Sequence, residues 1–600
     1  MKRAGGKSAR ARDSAAAESG EARPRSQVSR ETVALGGIFV LALVLRLWGL
    51  DFGLPLLSNF YVRPDESLIV TPAVRFFENS GDPEFYIYPA LMMAACAVLF
   101  QVRFSVLDLF HLTQAPTLGF DFASNPSDYF FLARLLSAVF GALTVFIVYA
   151  LARRLSSRFG ALAAAVLFSV APLAVRDAHF GVTDTLLTFL SAATLYAIVW
   201  YVEGAAAAGR QRIMIAAALL GLAISTKYTA FALLPLLAAT ILLKHYRRPT
   251  REALLETCLL VLIPATLFVV INPYLFIRPS STNGLRWILG VIFRGEPGAA
   301  DWTLASGLSQ MIRPLRHGPG EVLGLVLCAI HLCWPGHERS STIARFTLLA
   351  GAGAFLLPLV FARHSPPYRY VLPALPVIAV FAGKGLADIY FALSSGRARL
   401  LAFAALVYCA GDGLWTCYKM DRLLARDDTR TLAGRWLRDH VPMDVPVIIL
   451  GGPEAEPQIR ESAASIRRRI EYVKRLYGET SGDVVSQLYR LQLRMLETSG
   501  AKRPDGYEVF RNPQRSEFDA ATVAVVRSTY PVALTSGVVA PPPLPEGEII
   551  RRWGTEPLSR KEPARYEFDR SDAFFLPFNR FDEVKRPGPA IEIVLIKVRG

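Results

Sequence analysis

Nothing constrains this chain more than the long apolar runs that recur between residues 32 and 417. Runs able to cross, or nearly cross, a bilayer fall at about 32–50, 130–152, 159–176, 185–202, 213–226, 229–243, 254–276, 320–335, 342–361, 369–391 and 399–417. Within hydrocarbon every backbone polar group has to be bonded internally, so such a chain folds as a bundle of helices. With 52% hydrophobic and 19% charged side chains, it does not read as an ordinary soluble enzyme.

Charge orients the bundle. Residues 1–31 carry eight basic and four acidic side chains and no apolar face, which predicts a disordered cytoplasmic tail. The clusters at Arg153, Arg154 and Arg158, at Arg210 and Arg212, at 244–251, and at Arg397 and Arg399 belong on that same side. They fall there together if the further run 88–107 does not cross, so 88–107 is expected to be a re-entrant or interfacial helix. The prediction is eleven spans (residues 32–420) followed by an extracytoplasmic domain (421–600). The run 32–50 lacks a small-residue cleavage site and is expected to be retained as a span. The net charge of +16 is held in these short clusters, with no basic stripe interleaved with aromatics, so nucleic acid is not an expected partner. All six Cys lie in or beside apolar runs, without metal-binding spacing or a disulfide framework.

This orientation gathers polar groups on the outer face. Asp65 and Glu66 follow the first span, where acids are costly to desolvate and therefore mark a candidate site. Arg176, Asp177, His179 and Asp184 share one connection, and Asp184 also suits the start of the next helix. Lys227 sits between two short runs that are expected to be separate crossings rather than one tilted helix. Arg363 and Arg369 flank a corner stiffened by Pro366 and Pro367, with Tyr370 beside it. Guanidinium groups there suit bidentate recognition of a phosphate.

Several pieces in this order resemble the polytopic glycosyltransferases of the GT-C fold. They are Asp65-Glu66, Tyr88-Pro89-Ala90-Leu91, Ala133-Arg134-Leu135-Leu136-Ser137-Ala138, Ala152-Arg153-Arg154-Leu155, His179 to Asp184, Ser225-Thr226-Lys227-Tyr228 and Arg369-Tyr370-Val371-Leu372-Pro373. The likeness, over roughly 32–392, is to the protein O-mannosyltransferase and aminoarabinose-transferase-like group, glycosyltransferase family 39-like. It implies a polyprenyl-phosphate-linked sugar donor used on the outer face of the membrane. It implies Asp65 as general base with Glu66 in support, and Asp184 as the second acid of the catalytic set. Lys227, Arg369, Arg363 and Arg63 are the candidates for the donor phosphate, and Tyr88, His179 and Tyr370 for substrate contacts. Where the aminoarabinose transferases carry a lysine before their prolines, this chain has Ile87-Tyr88-Pro89, so Arg63 or Arg363 would take over that contact. A repeated domain like the insert of eukaryotic O-mannosyltransferases is not seen, which points to a bacterial-type enzyme.

The chemistry is consistent with that implication. A lipid phosphate leaves readily once its charge is held, so no protein nucleophile is needed. A partly desolvated carboxylate can take the acceptor's proton, and direct displacement inverts the sugar. The acceptor would be a protein, lipid or glycan, and membrane lipids surround the body. No cofactor is required; a divalent cation could bridge carboxylate and phosphate, but no ligand cluster demands one. The competing reading is a polytopic transporter or flippase of a lipid or small solute. A transporter should show two related halves, which this sequence lacks, and has no use for 180 polar residues at one end. A non-catalytic receptor would leave the gathered acids and bases unexplained.

Beyond residue 421 the periodicity predicts a small α/β domain, with an amphipathic helix at 429–440, a helical stretch at 462–498, and strands at 445–450, 521–526 and 591–598. The segments 569–577 and 586–589 read as turn-rich connections or, more sharply, as acceptor contacts. Phe574, Phe575 and Phe578 are alternatively expected to dock the domain on the membrane body.

Overall fold

The computed structural model describes residues 30–58, 60, 63–204, 209–246, 251–278, 303–333, 339–362, 366–392, 396–498, 506–513, 520–529, 543–555 and 576–598. The expected tail up to residue 29, Arg363, and the Phe574 and Phe575 of the expected docking contact lie outside the described residues.

The helices are α1 (Arg30–Leu47), α2 (Pro64–Arg75), α3 (Leu91–Leu109), α4 (Leu118–Ser124), α5 (Pro126–Leu155), α6 (Arg158–Ser169) and α7 (Pro172–Ala178). They continue as α8 (Thr183–Glu203), α9 (Gly209–Ile224), α10 (Leu234–His245), α11 (Arg251–Ile271), α12 (Tyr274–Ile277) and α13 (Leu304–Ile312). Next come α14 (Pro319–Cys333), α15 (Arg339–Val360), α16 (Leu375–Ala392), α17 (Gly396–Leu424), α18 (Thr429–His440) and α19 (Ala463–Thr498). Short 3-10 turns at Tyr228–Leu233 and Tyr368–Ala374 lead into α10 and α16.

Among the described residues, eight helical segments are long and apolar enough to cross a membrane, or nine if α6 and α7, bent by 52°, count as one. The eleven expected spans correspond to these without α3 and with α6–α7, α1, α9 and α14 added, the last three being too short or too charged to qualify by length and composition alone. The run 32–50 became an 18-residue helix that includes Arg30, Glu31 and Arg46. Runs 213–226 and 320–335 became helices of 16 and 15 residues, about 24 Å and 22 Å long against a hydrocarbon core of about 30 Å.

Contacts at the two ends of α8 show how α9 and α10 run. Lys227 Nζ bonds Asp184 at the start of α8, whereas Lys244 Nζ bonds the Tyr201 carbonyl near its end, at 3.1 Å. The chain therefore climbs α9, turns at Lys227 and returns along α10, as expected of two passes. α3 has the length and composition of a span, but both its ends bond to one end of the bundle. The Ala90 N–H donates to Asn272 Oδ1 at 2.6 Å, beyond the end of α11, and the Leu91 N–H donates to the Ser225 carbonyl at 3.0 Å, beyond the end of α9. At the other end of α3, Arg103 pairs with Asp121 and with Asp128 in the first turn of α5. α3 thus lies across that end, which fits the interfacial reading.

Strands β1 (Val447–Leu450), β2 (Val509–Arg511), β3 (Thr522–Thr529), β4 (Gly547–Gly554) and β5 (Ala590–Val598) form one sheet in the order β2-β1-β3-β5-β4. β1 is parallel to β2 and β3, and β5 is antiparallel to β3 and β4. Alternate residues serve opposite faces: Val447, Ile449, Ala524, Val526 and Ile593 pack with Ala433 and Leu437 of α18, and Ile448, Val523, Val525, Val594 and Ile596 form a second cluster. α18 and the three expected strands are present, and β2 and β4 are additional. α19 folds back on itself. Arg467 reaches Glu497 at 2.6 Å and the Arg469 guanidinium lies 4.7 Å from the Tyr489 ring, although 30 residues of straight helix would rise about 45 Å. Ile466, Ile470, Leu488 and Leu491 of this hairpin, with Leu576, Phe578 and Phe581, join the core of the membrane body rather than that of the sheet.

Candidate active site

Four side chains from four elements meet at the end of the bundle that carries the C-terminal domain. Pro64 opens α2, where its fixed φ suits the first helical position, and so places Asp65 and Glu66 in the first turn. Arg369 comes from the 3-10 turn before α16, Asp184 from the first turn of α8, and Lys227 from the apex between α9 and α10. Arg369 Nη2 bonds Asp65 Oδ2 across 304 residues of sequence. Arg369 Nε stands 3.3 Å from Asp184 Oδ2, and Lys227 Nζ donates to Asp184 Oδ1 at 2.7 Å. Two acids and two bases therefore alternate in one continuous string. The side chains of Arg369, Asp184 and Lys227 are 4%, 3% and 7% exposed, against 22% for Asp65, so the carboxylate is the member open to a second reactant.

The expected substrate contacts Tyr88 and Tyr370 stand beside this string: Lys227 Nζ is 4.4 Å from the Tyr370 ring centre and 5.9 Å from that of Tyr88. Arg63 is buried with its guanidinium 5.0 Å from the Phe180 ring. Burial pulls its pKa below the usual arginine value, and the neighbouring Arg369 charge adds to this. Burial opposes ionisation of Asp65, but Arg369, Arg63 and Lys227 outweigh it and hold the carboxyl below its usual range. Burial raises the Tyr88 hydroxyl well above the ordinary tyrosine value, with the Asp65 charge second, so Tyr88 stays protonated as a hydrogen-bond donor.

Two expected site residues do other work. Glu66 accepts from Arg134 Nε and Nη2 at 2.8 Å and 2.9 Å and from the Gly181 N–H at 2.7 Å, while Arg134 Nη1 holds the Leu50 and Phe52 carbonyls. The pair is fully enclosed and ties α2, α5, the chain after α1 and the turn before α8 into one block. It is a positioning pair rather than a catalytic one. Gly181 is required there because a Cβ would stand 2.8 Å from that of Ala133. Replacing Glu66 by Gln should destabilise the fold by about 3–5 kcal/mol by leaving a buried guanidinium uncompensated. Glu66→Gln with Arg134→Met should cost less than the single change, and thermal unfolding in detergent measures both. His179 is buried with Nδ1 on the Val175 carbonyl at 2.8 Å and Nε2 on the Trp48 carbonyl at 3.0 Å. A neutral ring donates to only one of these two carbonyls, and its enclosed place between α7 and the end of α1 gives it a packing contact where a substrate contact was expected.

In the sequence Arg134 stands out only as part of a motif, and Arg176 carries no mark of its partner. Arg176 Nε and Nη2 hold Asp177 Oδ2 at 3.1 Å and 2.9 Å, behind the site. The oxygens of Asp65 and Asp184 named above are engaged by cations. Among the described residues no group of three His, Cys, Asp or Glu side chains is placed to hold a metal ion.

The segment that contributes Arg134, Asp177, Asp184 and Lys227 falls within a match to a known family. Residues 127–276 match the family model described as dolichyl-phosphate-mannose-protein mannosyltransferase. Asp65 and Arg369 lie on either side of the matched stretch. No curated protein matches the chain in sequence. Among solved structures, it is similar to ArnT from Cupriavidus metallidurans bound to undecaprenyl phosphate, at 18% identity over 78% of each chain and a TM-score of 0.42. It is also similar to the archaeal oligosaccharyltransferase AglB from Archaeoglobus fulgidus, at 11% identity over 76% of this chain and 68% of that one, with a TM-score of 0.44. The protein O-mannosyltransferase Pmt1–Pmt2 complex of S. cerevisiae matches at 19% identity over 43% of this chain and 35% of that one, with a TM-score of 0.33.

Proposed function

We propose that the chain transfers a sugar from a polyprenyl-phosphate donor to an acceptor hydroxyl at the outer face of the cell membrane, with inversion. The observation that carries this is the string Asp65–Arg369–Asp184–Lys227, in which the open end is a carboxylate and the enclosed remainder supplies both cations. In the resting arrangement Arg369 is shared between the two acids. An arriving phosphate competes for the guanidinium and for the Lys227 ammonium, which frees Asp65 from its strongest partner. The released carboxylate then takes the acceptor's proton as the hydroxyl attacks the anomeric carbon, and the phosphate departs on the opposite side with its charge held. Asp184 keeps both cations aimed at the phosphate. No covalent sugar–enzyme intermediate is needed.

Membranes containing the chain, incubated with a panel of labelled lipid-phosphate sugars, should transfer label from at least one donor in an Asp65-dependent manner. Failure with every donor would count against the reading.

The same reading places the site end of the bundle outside the cell. Glu31 of α1 pairs with Arg153 and Arg158 at the opposite end, alongside the arginine clusters expected to face the cytoplasm. A reporter fused after Gly600 should therefore report an extracytoplasmic location, and a cytoplasmic signal would invert the orientation.

A further inference from the structure

The C-terminal domain reaches the site at two points, one beside each member of the Asp65–Arg369 pair. On the first side, the chain leading to Asp65 is bonded to residues some 400 positions away. Gln458 Oε1 accepts from the Leu57 N–H at 2.8 Å and the Ser58 N–H at 3.4 Å, and Gln492 Nε2 donates to the Leu57 carbonyl at 3.0 Å. The Tyr489 ring packs on Phe60 at 5.4 Å. Gln458 is itself held: its N–H donates to the Arg430 carbonyl at 3.0 Å. Its neighbours Glu456 and Glu461 close a buried ring of ion pairs with Arg469 and Arg511. On the second side, the buried Phe578 ring stands edge-on to Tyr368 at 4.6 Å and touches the His317 ring at 3.8 Å. The Arg176 guanidinium lies 5.8 Å from its centre. Tyr368 immediately precedes Arg369.

We infer that the C-terminal domain belongs to the catalytic unit, with Gln458 and Phe578 as positioning residues. Gln458 sets the path of the chain into α2, and so where Asp65 stands. Phe578 braces the turn that aims Arg369. The described residues between 48 and 63 include no long helix or strand, so the N–H groups of Leu57 and Ser58 depend on an outside acceptor. Misplacing a reacting group by about 1 Å costs about a hundredfold in rate, so these distant contacts bear directly on turnover.

The inference rests on the proposed sugar transfer and predicts two different kinetic signatures. Gln458→Met keeps the side-chain length but removes the acceptor oxygen. It should lower kcat by about 30- to 100-fold with the donor KM within about twofold, because only Asp65 is displaced. Gln458→Glu restores an acceptor and should recover kcat to within about threefold. Phe578→Ala should instead raise the donor KM by about tenfold or more through Arg369, and Phe578→Tyr should restore it. If one variant fails to assemble, Gln492→Met, which removes the other bond to Leu57, replaces Gln458→Met, and Phe578→Leu replaces Phe578→Ala. Wild-type kinetics in both classes, or parallel loss of kcat, donor affinity and thermal stability in both, would overturn the inference. No turnover by the wild-type chain with any lipid-phosphate sugar would instead sink the reading of its function.

Discussion

Asp65→Asn should lower sugar transfer by about 10²- to 10⁴-fold, the usual contribution of a positioned general base, while the chain still inserts and unfolds at nearly its wild-type temperature. The substitution keeps the shape of the side chain and removes only its charge and basicity. It also separates base catalysis from donor binding. With no carboxylate at 65 to compete for Arg369, the lipid phosphate should bind at least as tightly as in wild type. Loss of kcat with unchanged or lower donor KM is the expected pattern. Full turnover in the variant would remove Asp65 from the mechanism.

The second large effect is expected at Arg369, which serves Asp65, Asp184 and the proposed phosphate with one guanidinium. Arg369→Ala should weaken donor binding by about 10- to 100-fold, the range of a charge-assisted hydrogen bond. Arg369→Lys should recover only part of this, since an ammonium lacks the planar fork that reaches two partners at once. The pH dependence supplies an independent check. Burial alone would raise the Asp65 pKa, and Arg369 is the foremost charge that brings it below the usual carboxylate range. In the wild-type enzyme the acid limb of kcat/KM should therefore lie below the ordinary aspartate value of about 3.9. Removing Arg369 leaves burial less opposed, so that limb should move to higher pH. An acid limb that stays in place in Arg369→Ala would show that the pair does not govern the carboxyl in solution.

The bundle, the polar third and the chemistry at one end were legible because each leaves a local trace. Apolar runs mark helices, charge clusters mark one side of a membrane, and the Pro366-Pro367 pair marks where a helix stops. The residues of the string were also legible, since acids and bases between apolar runs stand out. Their roles were less so. Glu66 stands next to Asp65 in sequence, but successive residues on a helix point about 100° apart, so one faces Arg369 and the other Arg134. Run length located the helices but not their bounds, because it counts apolar residues without asking where a helix starts, bends or ends. Run 88–107 has the composition of a span, but the charge clusters already argued against a crossing, and a hydrogen bond at one end and ion pairs at the other agree with that reading.

The amino-acid sequence by itself determined that this chain is a helical membrane protein with a basic and an acidic-and-basic end, because hydrophobic length and charge act residue by residue. Which acid meets which base, that His179 is enclosed between α7 and the end of α1, and that Gln458 and Phe578 touch the chain on either side of the site were decided only by the tertiary structure. Those facts depend on contacts between residues hundreds of positions apart, and a glutamine or phenylalanine carries no local mark of the distant backbone or ring it will meet.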